Sequence, residues 1–353
     1  MLANKQKNKV SPIIKIIDFD EFKTCITKMP SNYSFKDLLL NSKAILRSYQ
    51  ITPKVICGES EGEYIFFIWF YESKKNKFSC LRNGVRFFRT IDTTEIKNLK
   101  DFLAQKEIFI NIEFSSFNNS IHGLDNVLIT HDQKKNVVQK IYNPEEMWAN
   151  LPKKTRNLIR KAQKNNLIIS ESKDLLKDFY NFYSRGMMKK NLIPHSLQYF
   201  LAIFDLYGGQ INFIGASVEE KLIAGIIFIN HGDHTSYPFQ ASDSSYRHLA
   251  PNQLLVWEMM NRSFQNKSSY IDMGEATSLG GVFHFKKSFG GDIYDINSLS
   301  LTHFESLPDQ GIYKNITWRL SFKKILLTLL SFFPIVIRSE IIAFFKSKGN
   351  LGV

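Results

Sequence analysis

The chain has 353 residues, 44% hydrophobic and 22% charged, a balance that excludes wholesale disorder and suggests about two domains at roughly 150 residues each. Its 46 Lys and Arg against 33 Asp and Glu leave a formal charge of +13, which points to an anionic partner such as phosphate, nucleic acid or an acidic membrane face and says nothing about fold. The three cysteines, Cys25, Cys57 and Cys80, form no C-x-x-C pair, which argues against a disulfide framework or thiolate zinc site and for reduced thiols in a cytosolic protein.

Phe19–Lys28 and Ser34–Leu46 have helical spacing. Tyr64–Tyr71 is a run of aromatic and β-branched residues and reads as a buried strand. Phe78–Leu81 and Val85–Thr90 read as two strands joined by a hairpin turn at Asn83-Gly84. A helix over Glu95–Gln105, a strand over Ile108–Phe114 and a short strand over Asn126–Thr130 complete this part. A boundary is expected near Asn143, separating residues 1–142 from residues 143–305, with residues 306–353 as a tail. At Asn143-Pro144-Glu145-Glu146 the Asn caps free N–H groups, Pro fits the first turn and the acids face the positive end of the helix dipole.

A second helix begins at Leu151-Pro152 and runs through Lys153–Asn165. A strand (Leu167–Glu171) and two helices (Leu175–Met188, Leu197–Asp205) follow. Three strands (Ile211–Val218, Lys221–Asn230, Thr235–Ala241), a helix (Asn252–Phe264), a strand (Tyr270–Met273) and a last strand near Ile293–Leu301 close the domain. This order predicts an α+β fold with mixed, mostly antiparallel sheets flanked by helices.

Four groups of residues are candidates for chemistry. Arg156, Arg160 and Lys164 recur at four-residue steps and share one helix face, opposite Leu151, Leu158 and Ala162. The stripe has no interspersed acids. It is either a phosphate or diphosphate clamp, since guanidinium groups bind phosphate oxygens in bidentate fashion, or a solvated face. In Gly280–Gly291, aromatics alternate around Lys286 and Lys287 between glycine pairs. A Lys held by aromatics there can neutralise an oxyanion; the alternative is a strand-to-turn transition. In Tyr270–Glu275 a strand delivers Asp272 and Glu275 into a Gly-containing loop, as a general base, an amine-orienting carboxylate or a turn residue. His231-Gly232-Asp233-His234 is turn chemistry rather than a metal site. No nucleophile elbow, Walker loop or dinucleotide fingerprint is present.

Taken in order, several pieces resemble the FemABX-like branch of the GNAT acyltransferase superfamily, which includes the BioF2-like acetyltransferase domain. They are Trp148-x-x-Leu151-x-x-Lys154-x-Arg156-x-x-Ile159-Arg160-Lys161-Ala162, then Ile223-Ala224-Gly225 and Ala241-Ser242 before Tyr246. Leu254-Leu255-x-Trp257-Glu258-Met259, Asp272-x-Gly274 and Gly281-x-x-x-Phe285-Lys286-x-x-Phe289-Gly290 continue the series. The resemblance covers Met147–Tyr294. It implies two GNAT-like domains, the first diverged, and transfer of an aminoacyl or acyl group onto an amine of a diphosphate-bearing cell-envelope precursor. It implies no tightly bound cofactor, with aminoacyl-tRNA or acyl-CoA as the donor co-substrate. By the same resemblance Phe285 and Lys286 match the family's Phe-Lys pair, whose Lys polarises the transferred carbonyl, and Arg156 or Arg160 contacts diphosphate. The acceptor it implies is a phosphorylated or lipid-linked glycan precursor, in peptidoglycan or polysaccharide assembly.

One departure concerns the run Arg247–Asn252, where ordinary GNAT enzymes have a Gly-rich pyrophosphate loop. It has no glycine, and Pro251 removes a backbone donor. This weakens acetyl-CoA binding, although a helix N-terminus still offers an anion site. A degraded, non-catalytic GNAT-fold module that binds RNA or acidic glycan is the alternative to an enzyme.

Targeting signals are sparse. Met1–Val10 is polar and basic, and Asp18, Asp20, Glu21 and Lys23 interrupt any apolar segment after it. The most apolar run, Ile325–Ile337, is shorter than the roughly 20 residues of a spanning helix and contains Pro334. Cytoplasmic residence is expected, with the tail either an interfacial helix pair touching the inner membrane surface or a pair packed on the N-terminal domain.

Overall fold

The computed structural model describes residues 12–26, 36–74, 77–89, 91–108, 110–117 and 129–300, and residues 326–347 apart from 328, 331 and 332. The fold is α+β with two mostly antiparallel sheets, as the sequence predicts. The first sheet is antiparallel and runs β1 (Ile13–Ile17), β2 (Pro53–Ser60), β3 (Glu63–Lys74), β4 (Lys77–Phe87). Strand β3 is buried on both faces. Phe67 and Trp69 pack with Phe22 of helix α1 (Phe19–Ile26) and with helix α2 (Lys36–Tyr49). Phe66, Ile68 and Phe70 pack on Ile96, Leu99 and Leu103 of helix α3 (Thr93–Gln105), which starts in a capping box between Asp92 and Glu95.

Asn83-Gly84 is not a hairpin turn. Strand β4 passes straight through it, and the pairing with β3 shifts from Ile68↔Val85 to Phe70↔Cys80, so an irregularity absorbs the extra residues. A strand buried on two faces needs a partner along its length, and that pairing overrides the local turn preference.

The second sheet has eight strands. In chain order these are β5 (Asn111–Ser115), β6 (Ile129–Lys140), β7 (Ile168–Ser170), β8 (Ile211–Val218), β9 (Lys221–Asn230), β10 (His234–Ser242), β11 (Tyr270–Thr277) and β12 (Asp292–Ser300). Their spatial order is β5-β12-β6-β11-β10-β9-β8-β7. Strands β5 and β6, which precede Asn143, therefore lie in one sheet with the later strands. Strand β6 is much longer than the short strand expected over Asn126–Thr130. Its polar sequence hides it, because its charges are paired across strands: Lys134 Nζ donates to Glu113 and Lys135 Nζ to Asp295, each at 2.6 Å.

One face of this sheet carries α4 (Pro144–Asn150), α5 (Lys153–Lys164), α8 (Pro251–Gln265) and α9 (Gly281–Lys287). The other carries α6 (Leu176–Lys189) and α7 (Leu197–Tyr207), which share one hydrophobic core with α1, α2 and the inner face of the first sheet. The stretch after Gly280 is thus helix α9 and not a strand-to-turn transition. Its Phe283 and Lys286, three residues apart, are both buried.

Helix α10 (Ile335–Ser347) packs against α2 and α7 through the side that carries Arg338, Ser339 and Lys346. The Lys346 ammonium lies 5.3 Å from the centre of the Tyr49 ring. Burial pushes its pKa from 10.5 down to about 7. Between those values the unfolded chain holds a proton that the folded chain has lost, so this group's contribution to stability rises with pH from about 7 to 10.5 and its penalty is complete below 7. Lys346→Met is expected to raise the melting temperature at pH 7 and to flatten that rise. An unchanged pH profile of thermal unfolding contradicts the assignment.

Candidate active site

Strands β10 and β11 run parallel, and their pairing stops early. His234, Thr235 and Ser236 lie opposite Tyr270, Ile271 and Asp272, and beyond them the two strands part. Both carry a device that bends them away. The β10 register against β9 shifts between Ser236 and Phe239, around Pro238, which has no N–H to give to a ladder. The β11 register against β6 shifts between Asp272 and Glu275, around Gly274 at φ +73. The result is a wedge-shaped opening in the sheet.

Lys286 reaches this opening from α9. Its buried Nζ donates to the carbonyl oxygens of Gly274 and Glu275, both at 3.0 Å, and lies 5.9 Å from the centre of the Tyr237 ring on β10. Asp272 Oδ1 accepts from the Gly274 N–H at 2.8 Å, which fixes the bulge. Phe285 packs edge-on against Phe289 at 5.4 Å. Lys286, Asp272 and the Gly274 loop, singled out separately in the sequence, thus meet at one place.

The basic stripe lies elsewhere on the same face. On α5 the buried residues are Thr155, Ile159 and Ala162, with Leu158 only partly buried. Arg156 Nη1 lies 3.5 Å from the Ala149 carbonyl oxygen, and the Arg160 guanidinium lies 5.2 Å from the centre of the Trp148 ring. Both therefore turn towards α4, while Lys164 ends the helix in solvent. The link to α9 is made by Thr155, whose hydroxyl donates to the Ser288 carbonyl at 2.6 Å. A hollow beside this junction is lined by residues including Lys140, Tyr142, Met147, Asn150, Gly290 and Asp292. Neither Lys286 nor the two arginines line it.

Helix α8 starts without a side-chain cap. Ala250 takes the left-handed conformation (φ 57, ψ 40) that a glycine would adopt more readily, and Pro251 opens the first turn. Asn252 donates through Nδ2 to Ser242 Oγ at 3.0 Å, and its carbonyl accepts from Gln240 Nε2 at 3.3 Å, which ties this end to the last residues of β10. An uncapped helix N-terminus at the open end of β10 is suited to an anion.

Two features escape the sequence. His231 Nε2 lies 2.8 Å from Ser236 Oγ, on the last β10 residue still paired with β11. Its ring stacks on His234 at 4.6 Å, and His234 stacks on Tyr270 at 5.1 Å. Burial holds the His231 imidazole below its ordinary pKa, and so neutral at pH 7. Arg86 of β4 is also held below its ordinary pKa by burial, against the opposing pull of the Asp37 and Asp272 carboxylates. It brings the first sheet's charge close to the site. No local pattern announces either feature, because both depend on which strands become neighbours. Among the described residues, no three His, Cys, Asp or Glu side chains are grouped to hold a metal ion.

Residues 149–287 match the family model of the acetyltransferase (GNAT) domain. Over that stretch the chain is similar to the GNAT acetyltransferase domain. The matched region includes the β10–β11 opening and Lys286. No curated protein matches the sequence. Among solved structures, FemX is similar with a TM-score of 0.56 at 12% identity, over 86% of this chain and 99% of that one. L-PGS from Bacillus licheniformis is similar with a TM-score of 0.51 at 10% identity, over 91% of this chain and 99% of that one. A tandem GNAT protein from the clavulanic acid biosynthesis pathway gives 0.51 at 7% identity, over 82% of this chain and 99% of that one. At such identities the likeness is one of fold. It extends the fold likeness beyond the matched residues.

Proposed function

We propose that this GNAT domain transfers an aminoacyl or acyl group to an amine of a diphosphate-bearing cell-envelope precursor, in peptidoglycan or polysaccharide assembly. The observation that carries the proposal is the opening between β10 and β11, with a buried lysine at one side and a neutral histidine–serine pair at its apex. In this mechanism the donor carbonyl enters the opening and the acceptor amine attacks its carbon. Lys286 holds the bulged β11 backbone and offers positive charge to the oxyanion as it forms. The amine's proton passes to Ser236 Oγ as the serine's own proton passes to His231 Nε2. Collapse of the tetrahedral intermediate breaks the bond to the donor oxygen or sulfur, and the leaving group takes the proton back from His231 through Ser236, which regenerates the neutral pair. Asp272 acts as a positioning residue through the Gly274 N–H.

The donor's phosphates are assigned to the N-terminus of α8, and the acceptor's diphosphate to Arg156, Arg160 and Lys164. Residues 143–305 then form the catalytic unit, its sheet completed by β5 and β6, with residues 1–142 as the diverged first half and 306–353 as the tail.

The uncapped α8 N-terminus also favours a second reading, an acyl-CoA-dependent N-acyltransferase. Thermal unfolding with acetyl-CoA and with aminoacyl-tRNA separates the two. A ligand at one hundred times its Kd raises stability by about 2.7 kcal/mol. Protection by aminoacyl-tRNA alone supports aminoacyl transfer, and protection by acetyl-CoA alone supports the second reading. Protection by neither contradicts both and favours a binding module without turnover.

A further inference from the structure

Helix α10 buries two of its cations while several of its apolar side chains face outward. Arg338 and Lys346 are each 2% exposed, whereas Val336, Ile337 and Phe344 are 50%, 44% and 57% exposed. These apolar residues recur at helical spacing on one outward face, with Glu340 among them. Just before the helix, Leu329 and Phe333 are 54% and 42% exposed. A helix that met only water would place its charges and its apolar side chains the other way round.

A basic rim adjoins this face. The C-terminal half of α6 is fastened to the C-terminal segment by Arg338 Nη1, which donates to Ser184 Oγ at 3.0 Å. Met188, one turn further on, packs with Leu327, Leu330 and Ile342. That end of α6 exposes Arg185, Lys189 and Lys190.

We propose that this face seats the protein on an anionic lipid surface, its apolar residues entering the interfacial layer and its basic rim meeting the headgroup phosphates. A second copy docked on the same face would bring two such rims together on chains of +13 each, whereas anionic lipid neutralises them. Among the described residues no helix is long and apolar enough to cross a membrane, so the contact lies on the surface. The face also has a connection to the site. Tyr183 of α6 and His195, just before α7, pack at 5.7 and 5.9 Å on Phe239, in the half of β10 that has left β11. The inference does not rest on the transfer chemistry above.

Vesicle flotation of the full chain tests it, using phosphatidylcholine alone and phosphatidylcholine with one quarter phosphatidylglycerol. The native chain floats with the mixed vesicles, binds roughly a hundredfold more weakly to phosphatidylcholine alone, and loses binding as salt rises. The double variant I337S/F344S, which alters exposed side chains only, binds the mixed vesicles at least about tenfold more weakly. K189E/K190E weakens binding to the mixed vesicles and leaves binding to phosphatidylcholine unchanged. Failure of the native chain to float with the mixed vesicles overturns the proposal. So does a dimer in analytical ultracentrifugation that I337S/F344S converts to monomer, because the second copy then takes the place assigned to lipid.

Discussion

Lys286→Met is expected to lower turnover by a factor of about 10²–10³ while leaving acceptor affinity nearly unchanged, the size of effect seen when one oxyanion donor is removed. The substitution keeps the length and apolar stem of the side chain. It deletes the ammonium that donates to the Gly274 and Glu275 carbonyls. Each hydrogen bond from a charged donor contributes about 1.5–3 kcal/mol, so a fall in melting temperature accompanies the loss of rate. The two consequences are separable. Lys286→Arg keeps a cation near the carbonyls and is expected to recover more stability than turnover, because a planar guanidinium presents its charge differently from a compact ammonium. Steady-state kinetics with the acceptor varied is the measurement. Turnover unchanged in Lys286→Met, or equal losses in turnover and acceptor affinity, contradicts the assigned role.

Arg338→Ala is expected to release the C-terminal helix from α6 and to destabilise it locally, at about 1–3 kcal/mol for each buried acceptor left without its donor. The guanidinium is buried and donates in three directions: Nε to the Leu330 carbonyl at 3.0 Å, Nη1 to Ser184 Oγ at 3.0 Å and Nη2 to the Phe333 carbonyl at 2.9 Å. Burial holds its pKa below the ordinary value, and these hydrogen bonds offset part of the cost of keeping the charge there. Removing it leaves two carbonyls and a hydroxyl without their donor. Hydrogen exchange reads the effect, with amides of α10 losing protection well before those of β8 and β9. Equal protection of α10 in the variant and the native chain rules out the anchoring role.

Much of the second sheet was legible because its elements obey local rules. Asn143 caps α4 through a hydrogen bond from the Glu146 N–H at 2.8 Å, as its position before Pro144 predicts. Helices α6, α7 and α8 and strands β8, β9 and β10 lie within a few residues of their expected bounds. The first sheet was harder. Strands β1 and β2 were not anticipated, although Val55, Ile56 and Cys57 are fully buried. Pairing gives them their identity, β1 with β2 and β2 with β3. Asn83-Gly84 misled for the opposite reason, as a strong turn signal within a strand whose partner is fixed by burial.

The candidate site divides along the same line. Lys286 and Asp272 could be found because glycines and aromatics mark their segments, and the structure brings them together at the Gly274 bulge. Arg156 and Arg160 could be found as a stripe, but their partners Ala149 and Trp148 are specified by the packing of α4 on α5. The pairing of His231 with Ser236 depends on a bend between strands, and the position of Ser236 at the apex depends on the parallel pairing with β11. No spacing within the sequence encodes either.

Mass spectrometry of envelope precursors tests the central claim most directly, comparing cells that carry the intact protein, lack it, or carry Lys286→Met. Aminoacyl or acyl transfer predicts a diphosphate-bearing precursor that is heavier by one such group only when the intact protein is present. Identical precursor masses in all three, or a full mass shift restored by Lys286→Met, contradicts it.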